Sequence, residues 1–299
     1  MKKFTIFYVF IILGLYSCEK IIDMDIKDTD RKIVINGVFT DQAPVVVHIS
    51  KSMHILDNDD FQCINNANVK IFRNNELIDT LLLIDDGIYS LEGIYPDIGA
   101  EYTIEVGTGS FPTARGSNII PEPVPVISID TQTVEHSSTD IFGDSYTEMV
   151  LDCSIRFNDP PETKNYYILN ISVRDNYTDE EYFVDFDSDD IIIEEWLTRS
   201  YGVLFSDDRI NGNTYEFGLY MYSYYFSYQD TTNMIIYLNS ISEDYYKYSI
   251  SYLRHQEAKE NPFAEPVQVY NNISNGYGIF AGFSSSSDTL KLFGYSNYE

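Results

Sequence analysis

The chain has 299 residues, with 47 Asp and Glu against 19 Lys and Arg, a net charge of −28, 26 Tyr, 18 Phe and three Cys. An apolar share of 44 % suffices for packed cores and excludes a disordered tail. So acidic a chain cannot replace counterions along a nucleic acid, nor dock on anionic lipid by charge, and its length favours two domains over one.

Lys2 and Lys3 precede the apolar stretch Phe4–Leu15. Those twelve residues are too few to span a hydrocarbon core of about 30 Å as a helix, so residues 1–17 read as a secretory signal. Ser17 directly before Cys18 resembles a bacterial lipobox, in which Cys18 becomes the first mature residue and carries acyl chains such as palmitate. Several chains on one residue anchor firmly, because each buried CH₂ contributes about 0.8 kcal/mol. Residues 18–32 are polar and charged and read as a membrane tether. Asp is absent directly after the Cys, which by resemblance to known sorting rules permits export to the outer membrane. The periplasmic and cell-surface faces both stay open.

Strand signals start at once. Ile33–Phe39 and Val45–Ser50 are rich in β-branched residues, and Asn66–Phe72, Leu77–Ile84, Ile88–Leu91 and Ile98–Val106 follow between turn residues. Gly87 after Asp85 and Asp86 marks a hairpin. Short strands at this spacing predict an immunoglobulin-like β-sandwich over residues 33–118. Pro121, Pro123 and Pro125 mark a boundary. Residues 119–299 read as a second, larger β-sheet or barrel-like domain. Its strand signals are Met149–Phe157, Tyr166–Asp175, Glu181–Phe186, Thr214–Tyr228 and Met234–Ile241. Thr214–Tyr228 is aromatic or apolar on both faces, which predicts a central strand or a cavity wall. One helix is predicted over residues 243–258. Ser242 is its N-cap, Glu243 and Asp244 suit the positive end of its dipole, and Pro262 stops it.

Chemistry-bearing patterns are sparse. Asp185, Asp187 and Asp189 resemble the first half of a calcium loop, but Asp190 stands where the loop needs Gly and Trp196 where it needs Glu, so a solvated acidic turn is the plainer reading. No H-E-x-x-H, G-x-S-x-G or phosphate-binding loop occurs, and His255 falls near the helix C-terminus, where a charged ring is favoured. Forty-seven acids form too many pairs for any one to indicate glycoside hydrolysis. Cys63 and Cys153 read as two free, part-buried thiols, with a disulfide left open. The reading is therefore non-enzymatic, with no cofactor. Tyr supplies large contact area at low entropy cost, so Tyr220, Tyr222, Tyr224 and Tyr228 are candidate ligand- or partner-binding residues beside Tyr245, Tyr246 and Tyr248.

Two stretches carry a family resemblance: Asn261-Pro262-Phe263-Ala264-Glu265-Pro266-Val267, and Asn271 to Phe280 with its Asn272-Ile273-Ser274-Asn275-Gly276-Tyr277-Gly278 core. With Ile241–Tyr248, Asn36-Gly37, Gly87-Ile88-Tyr89, Asp159-Pro160-Pro161 and Asn165-Tyr166-Tyr167, they resemble the Bacteroidota outer-membrane lipoprotein family catalogued as domain of unknown function 4249. The resemblance covers essentially the whole mature chain. It implies a lipoprotein encoded beside a TonB-dependent transporter and no known activity. The expectation is an accessory partner of such a transporter. The alternative is a free-standing receptor for a glycan or small molecule with an aromatic-lined pocket. Gly276 and Gly278 around Tyr277 read as a folding device that permits close backbone approach.

Overall fold

The computed structural model describes residues 30–54, 57, 60–139, 142–174, 178–197, 202–222, 232–261 and 263–292. It is mainly β with a single α-helix. The first strands are β1 (Ile33–Phe39), β2 (Val46–Lys51), β3 (Asn68–Arg73), β4 (Glu76–Asp85), β5 (Ile88–Ser90), β6 (Glu101–Gly107) and β7 (Ala114–Ile119). Next come β8 (Val126–Thr139), β9 (Ser145–Asn158), β10 (Tyr166–Arg174), β11 (Glu181–Phe183), β12 (Glu195–Leu197), β13 (Gly202–Ser206), β14 (Thr214–Tyr222) and β15 (Thr232–Ile241). Helix α1 (Glu243–Glu260) and the long strand β16 (Gly276–Leu292) complete the described chain.

One large sheet runs β12-β13-β10-β15-β16-β1-β2-β5-β4-β3-β6-β7, with β11 paired to β10, and a smaller sheet runs β14-β9-β8. The large sheet begins at β12 and ends at β7, which do not pair with each other. The second region is thus an open sheet faced by a small one, which corrects the barrel-like expectation. Alternation along a strand reports which face is covered, but closure depends on strand order, which alternation does not encode. β14 is likewise an edge strand of the small sheet rather than a central one.

Two large buried clusters and a small one beneath the helix fill the molecule. The first packs Ile35, Val47, Ile71, Tyr89 and Ile104 between the two halves of the sheet at the N-terminal end, and it also takes Ile273 and Phe280 from far along the chain. Tyr89 is enclosed there and spends its hydroxyl well: it donates to Ile64 O (2.7 Å) and accepts from Ala67 N (3.0 Å). The second cluster packs Leu169, Ile171 and Leu238 of the large sheet against Ile155, Phe217 and Leu219 of the small one. The proline segment bridges the two. Ile120 is buried in the first cluster and Val124 in the second, whose N–H reaches Ser240 Oγ (3.2 Å).

β16 joins the halves. Its first seven residues pair parallel with β1, from Ile33 opposite Gly276 to Phe39 opposite Gly282. From Phe283 onward it pairs antiparallel with β15. Phe280 stacks on Phe39 with ring centroids 4.5 Å apart. Gly278 has φ +109°, and a Cβ there would lie 2.0 Å from Ile35 O, so only glycine fits this approach of two strands.

Helix α1 begins as its sequence indicates. Ser242 Oγ accepts from Tyr245 N (3.4 Å), Glu243 and Asp244 occupy the first turn, and the helix stops at Asn261. It lies on the outer face of the large sheet. There Tyr245, Tyr246 and Ile250 cover Ile168, Leu204 and Phe283, and no residue of the helix is fully buried. Among the described residues no helix is long and apolar enough to cross a membrane.

Candidate functional site

The segment Ile168-Leu169-Asn170-Ile171-Ser172-Val173 is extended, so its side chains point to alternate faces of the sheet. Leu169, Ile171 and Val173 enter the second core, so Ile168, Asn170 and Ser172 face outward. β15 alternates in the same way, with Tyr237, Asn239 and Ile241 outward. Register sets Asn239 between Ile168 and Ser285, and Tyr237 beside Asn170. A row of amides and hydroxyls thus crosses the sheet. Asn239 Nδ2 donates to Asn170 Oδ1 (3.0 Å) and to Ile168 O (3.2 Å). Gly202 of β13 lies opposite Asn170, and a Cβ there would sit 2.3 Å from Asn170 Nδ2. Glycine at this position is what lets the buried amide occupy the floor.

Walls rise around this floor to form a groove of about 410 Å³. Tyr245 and Ser249 of α1 stand on one side with Phe283 beneath them, and Phe183 and Leu197 stand on the other. Thr40 and Gln42, in the turn after β1, close one end, where Gln42 Nε2 donates to Ser285 O (3.2 Å). Both halves of the molecule therefore contribute to the site. Among the described residues, none of the lining side chains carries a formal charge.

Charged groups flank the groove at both ends: Asp41 accepts from Thr40 Oγ1 (3.1 Å), and a set at the β10–β11 end is engaged. Glu181 accepts from Ser172 Oγ (2.6 Å), Tyr237 Oη (2.6 Å) and an Arg174 guanidinium nitrogen (2.8 Å). Burial alone would raise the Glu181 carboxyl, but these three donors outweigh it and hold the group below its ordinary value. Tyr237 is pushed up by burial and by Glu181, and Tyr245 by burial, so both stay neutral phenols.

The tyrosines singled out in the sequence lie elsewhere. Tyr220 and Tyr222 are half-exposed on the outer face of β14, and neither lines the groove. Tyr220 stacks on His136 (4.9 Å) and meets Tyr222 edge-on (6.1 Å). Burial and Asp187 push the Tyr222 hydroxyl up to about 12. Tyr224, Tyr228 and Cys18 lie outside the described residues. Asp185 and Asp189 are exposed, while the backbone of Asp187 exchanges two hydrogen bonds with that of Tyr220 (2.9 and 2.8 Å). The structure does not bring the three aspartates together, and among the described residues no group of three His, Cys, Asp or Glu could hold a metal ion. Cys63 and Cys153 are free thiols, and burial pushes Cys153 up to about 12, which makes it a poor nucleophile.

Two polar clusters are used for architecture. Asp159, raised by burial, accepts from Tyr167 Oη (2.5 Å) and Gly212 N (3.0 Å). Buried Asp207 pairs with Lys164 (2.8 Å) and accepts from Asn165 N (2.7 Å). Asp244 at the start of α1 accepts from Asn118 (2.8 Å), Asn272 (2.9 Å) and Tyr270 (2.5 Å), tying helix, β7 and the Asn-rich segment into one node. Asn272 also meets Phe280 through both its amide atoms (2.8 and 3.0 Å), standing in for a strand neighbour.

Sequence reasoning missed the floor of the groove, although a signal existed. Asn170 and Asn239 sit within the Ile- and Leu-rich stretches of two strands, where asparagine is disfavoured. Of the aromatic residues anticipated, Tyr245 does reach the groove, while Tyr246 turns its hydroxyl to Glu194. No curated relative matches the chain. The profile of the family described as Domain of unknown function (DUF4249) matches residues 19–289, and the chain belongs to that family.

Proposed function

We propose that the chain is a non-enzymatic binding protein, lipid-anchored to the outer membrane through Cys18, that holds a ligand in the groove beneath α1 and serves a TonB-dependent transporter as an accessory. The observation that carries the binding half is the floor: the buried amide of Asn170 and the half-buried amide of Asn239 on a sheet face that packing alone would fill with apolar side chains. The two amides are hydrogen-bonded to each other, so the face keeps satisfied polar groups that seating a helix does not require. The anchor rests on Lys2, Lys3, the apolar stretch Phe4–Leu15 and the Ser17-Cys18 step. The transporter rests on the family resemblance.

A mild-detergent pull-down of the intact chain from its native outer membrane tests the partner. A TonB-dependent transporter recovered in near-equal amount supports the accessory role. Recovery of the chain alone overturns that half and leaves a free-standing receptor, the reading the groove favours by itself. For the anchor, Cys18→Ala is expected to move the protein from the membrane fraction to the soluble periplasmic fraction. A variant that stays with the membrane removes the lipid anchor from the proposal.

A further inference from the structure

We infer that the groove takes a neutral carbohydrate, lying across β10, β15 and β16 beneath α1. This rests on the reading of the groove as a ligand site. The first argument is charge. In a chain of net charge −28, the described lining residues carry none. Among the described residues no lysine or arginine lines the groove to hold an anion, and the carboxylates bonded to its lining hydroxyls, Asp41 to Thr40 and Glu181 to Tyr237, stand outside the lining. Recognition falls to hydrogen bonding and shape.

The second argument is position. The groove lies on the face of a sheet, not at an edge. The strands beneath it are paired on both sides, β10 with β13 and β15, and β15 with β10 and β16. An extended peptide finds no free ladder there to join, so strand addition is closed to it. What the face offers is side chains that both donate and accept: the amides of Asn170, Asn239 and Gln42 and the hydroxyls of Ser249 and Ser285. Sugar hydroxyls have the same dual character. A purely hydrocarbon ligand would cover these groups while using none of their hydrogen-bonding capacity.

The third argument is the walls. Phe183, Tyr237, Tyr245 and Phe283 present ring surface around the polar floor, with Phe183 and Tyr237 edge-to-face at 6.2 Å. The C–H faces of a pyranose pack against such rings while its rim of hydroxyls meets the amides. A volume of about 410 Å³ lies within the range of about 300–1,000 Å³ found for small-ligand sites.

The test is calorimetric titration of the full mature chain in detergent with neutral gluco-, galacto- and manno-oligosaccharides. Saturable binding to at least one of them is expected. Asn239→Leu should weaken it at least tenfold with the melting temperature retained. Should that variant fold poorly, Phe183→Ala on the half-exposed strand β11 removes a wall and should weaken binding at least threefold. Tyr220→Ala, on the other sheet, should leave it unchanged. The inference is overturned if none of these sugars binds, if binding survives both groove variants, or if Tyr220→Ala alone abolishes it. The pull-down separates this failure from failure of the accessory role: a transporter recovered with a chain that binds no sugar removes the ligand class and leaves the partner standing.

Discussion

The two faces of the sheet formed by β10, β15 and β16 come from alternate residues of the same strands, yet they differ in kind. The inner face, with Leu169, Ile171, Ile236 and Leu238, is fully enclosed against the small sheet. The outer face carries Asn170, Tyr237 and Asn239 under a helix that covers it only in part. Inner residues gain from complete removal from water, whereas outer ones are held by pairwise hydrogen bonds of modest net worth. The fold thus separates the residues enclosed in the core from those that line the groove, and substitutions on the two faces should behave differently.

The largest expected effect is on the inner face. Leu238→Ala deletes a side chain with no exposure and should cost about 2–5 kcal/mol in denaturant unfolding. A loss under about 1 kcal/mol would mean that the inner face is not the main support. Gly202→Ala comes next, because its Cβ would meet Asn170 Nδ2 at 2.3 Å and Leu169 O at 2.7 Å. Overpacking of this kind costs about 1–3 kcal/mol. It should also displace the Asn170 amide and weaken ligand binding, so one substitution would register on both faces. Asp244→Ala strips three donors of their acceptor and should cost about 1–2 kcal/mol. Amide hydrogen exchange should speed up in α1 and around Asn272, with the inner strands unaffected. Uniform acceleration throughout would show that the node is not local.

The smallest effect depends on pH. Glu181 is held below its ordinary carboxylate value, so its contribution is present above that value and is lost as pH falls through the lowered one. The group is partly exposed, so solvent screening limits the contribution to at most about 1 kcal/mol. Wild type should exceed Glu181→Gln in unfolding midpoint near about pH 6, and the two should converge near about pH 3. A gap that ignores pH would assign the loss to packing rather than charge.

What the sequence made legible was local. β1, β2, β10 and β15 are runs rich in Ile, Val and Leu, and α1 carries its own cap and stop, so each could be read within a window of ten or so residues. β16 could not. Its Gly276, Gly278 and Gly282 and its four serines from Ser284 to Ser287 have little strand propensity. Extended structure is imposed on them by β1 and β15, whose positions no local window contains. The alternation of β14 was readable, but which face is covered depends on the opposing sheet, so Tyr220 was weighed as a site residue and lies beside His136 instead. The groove was hidden for a related reason. Its floor, walls and end come from β10, β15, α1, β11 and the turn after β1, which meet only through sheet register.

The parallel pairing of β1 with β16 also sets the order in which the molecule can be assembled. Ile33 waits for Gly276, and the first core waits for Ile273 and Phe280. A chain synthesised from its N-terminus presents β1 long before its partner. Neither core can close over its last strand until nearly all of the chain has been made. Contacts of such long sequence separation fold slowly, because loop closure precedes any gain from them. A chain cut short before β16 would expose β1 and β15 as unpaired strand edges, open to proteolysis and aggregation.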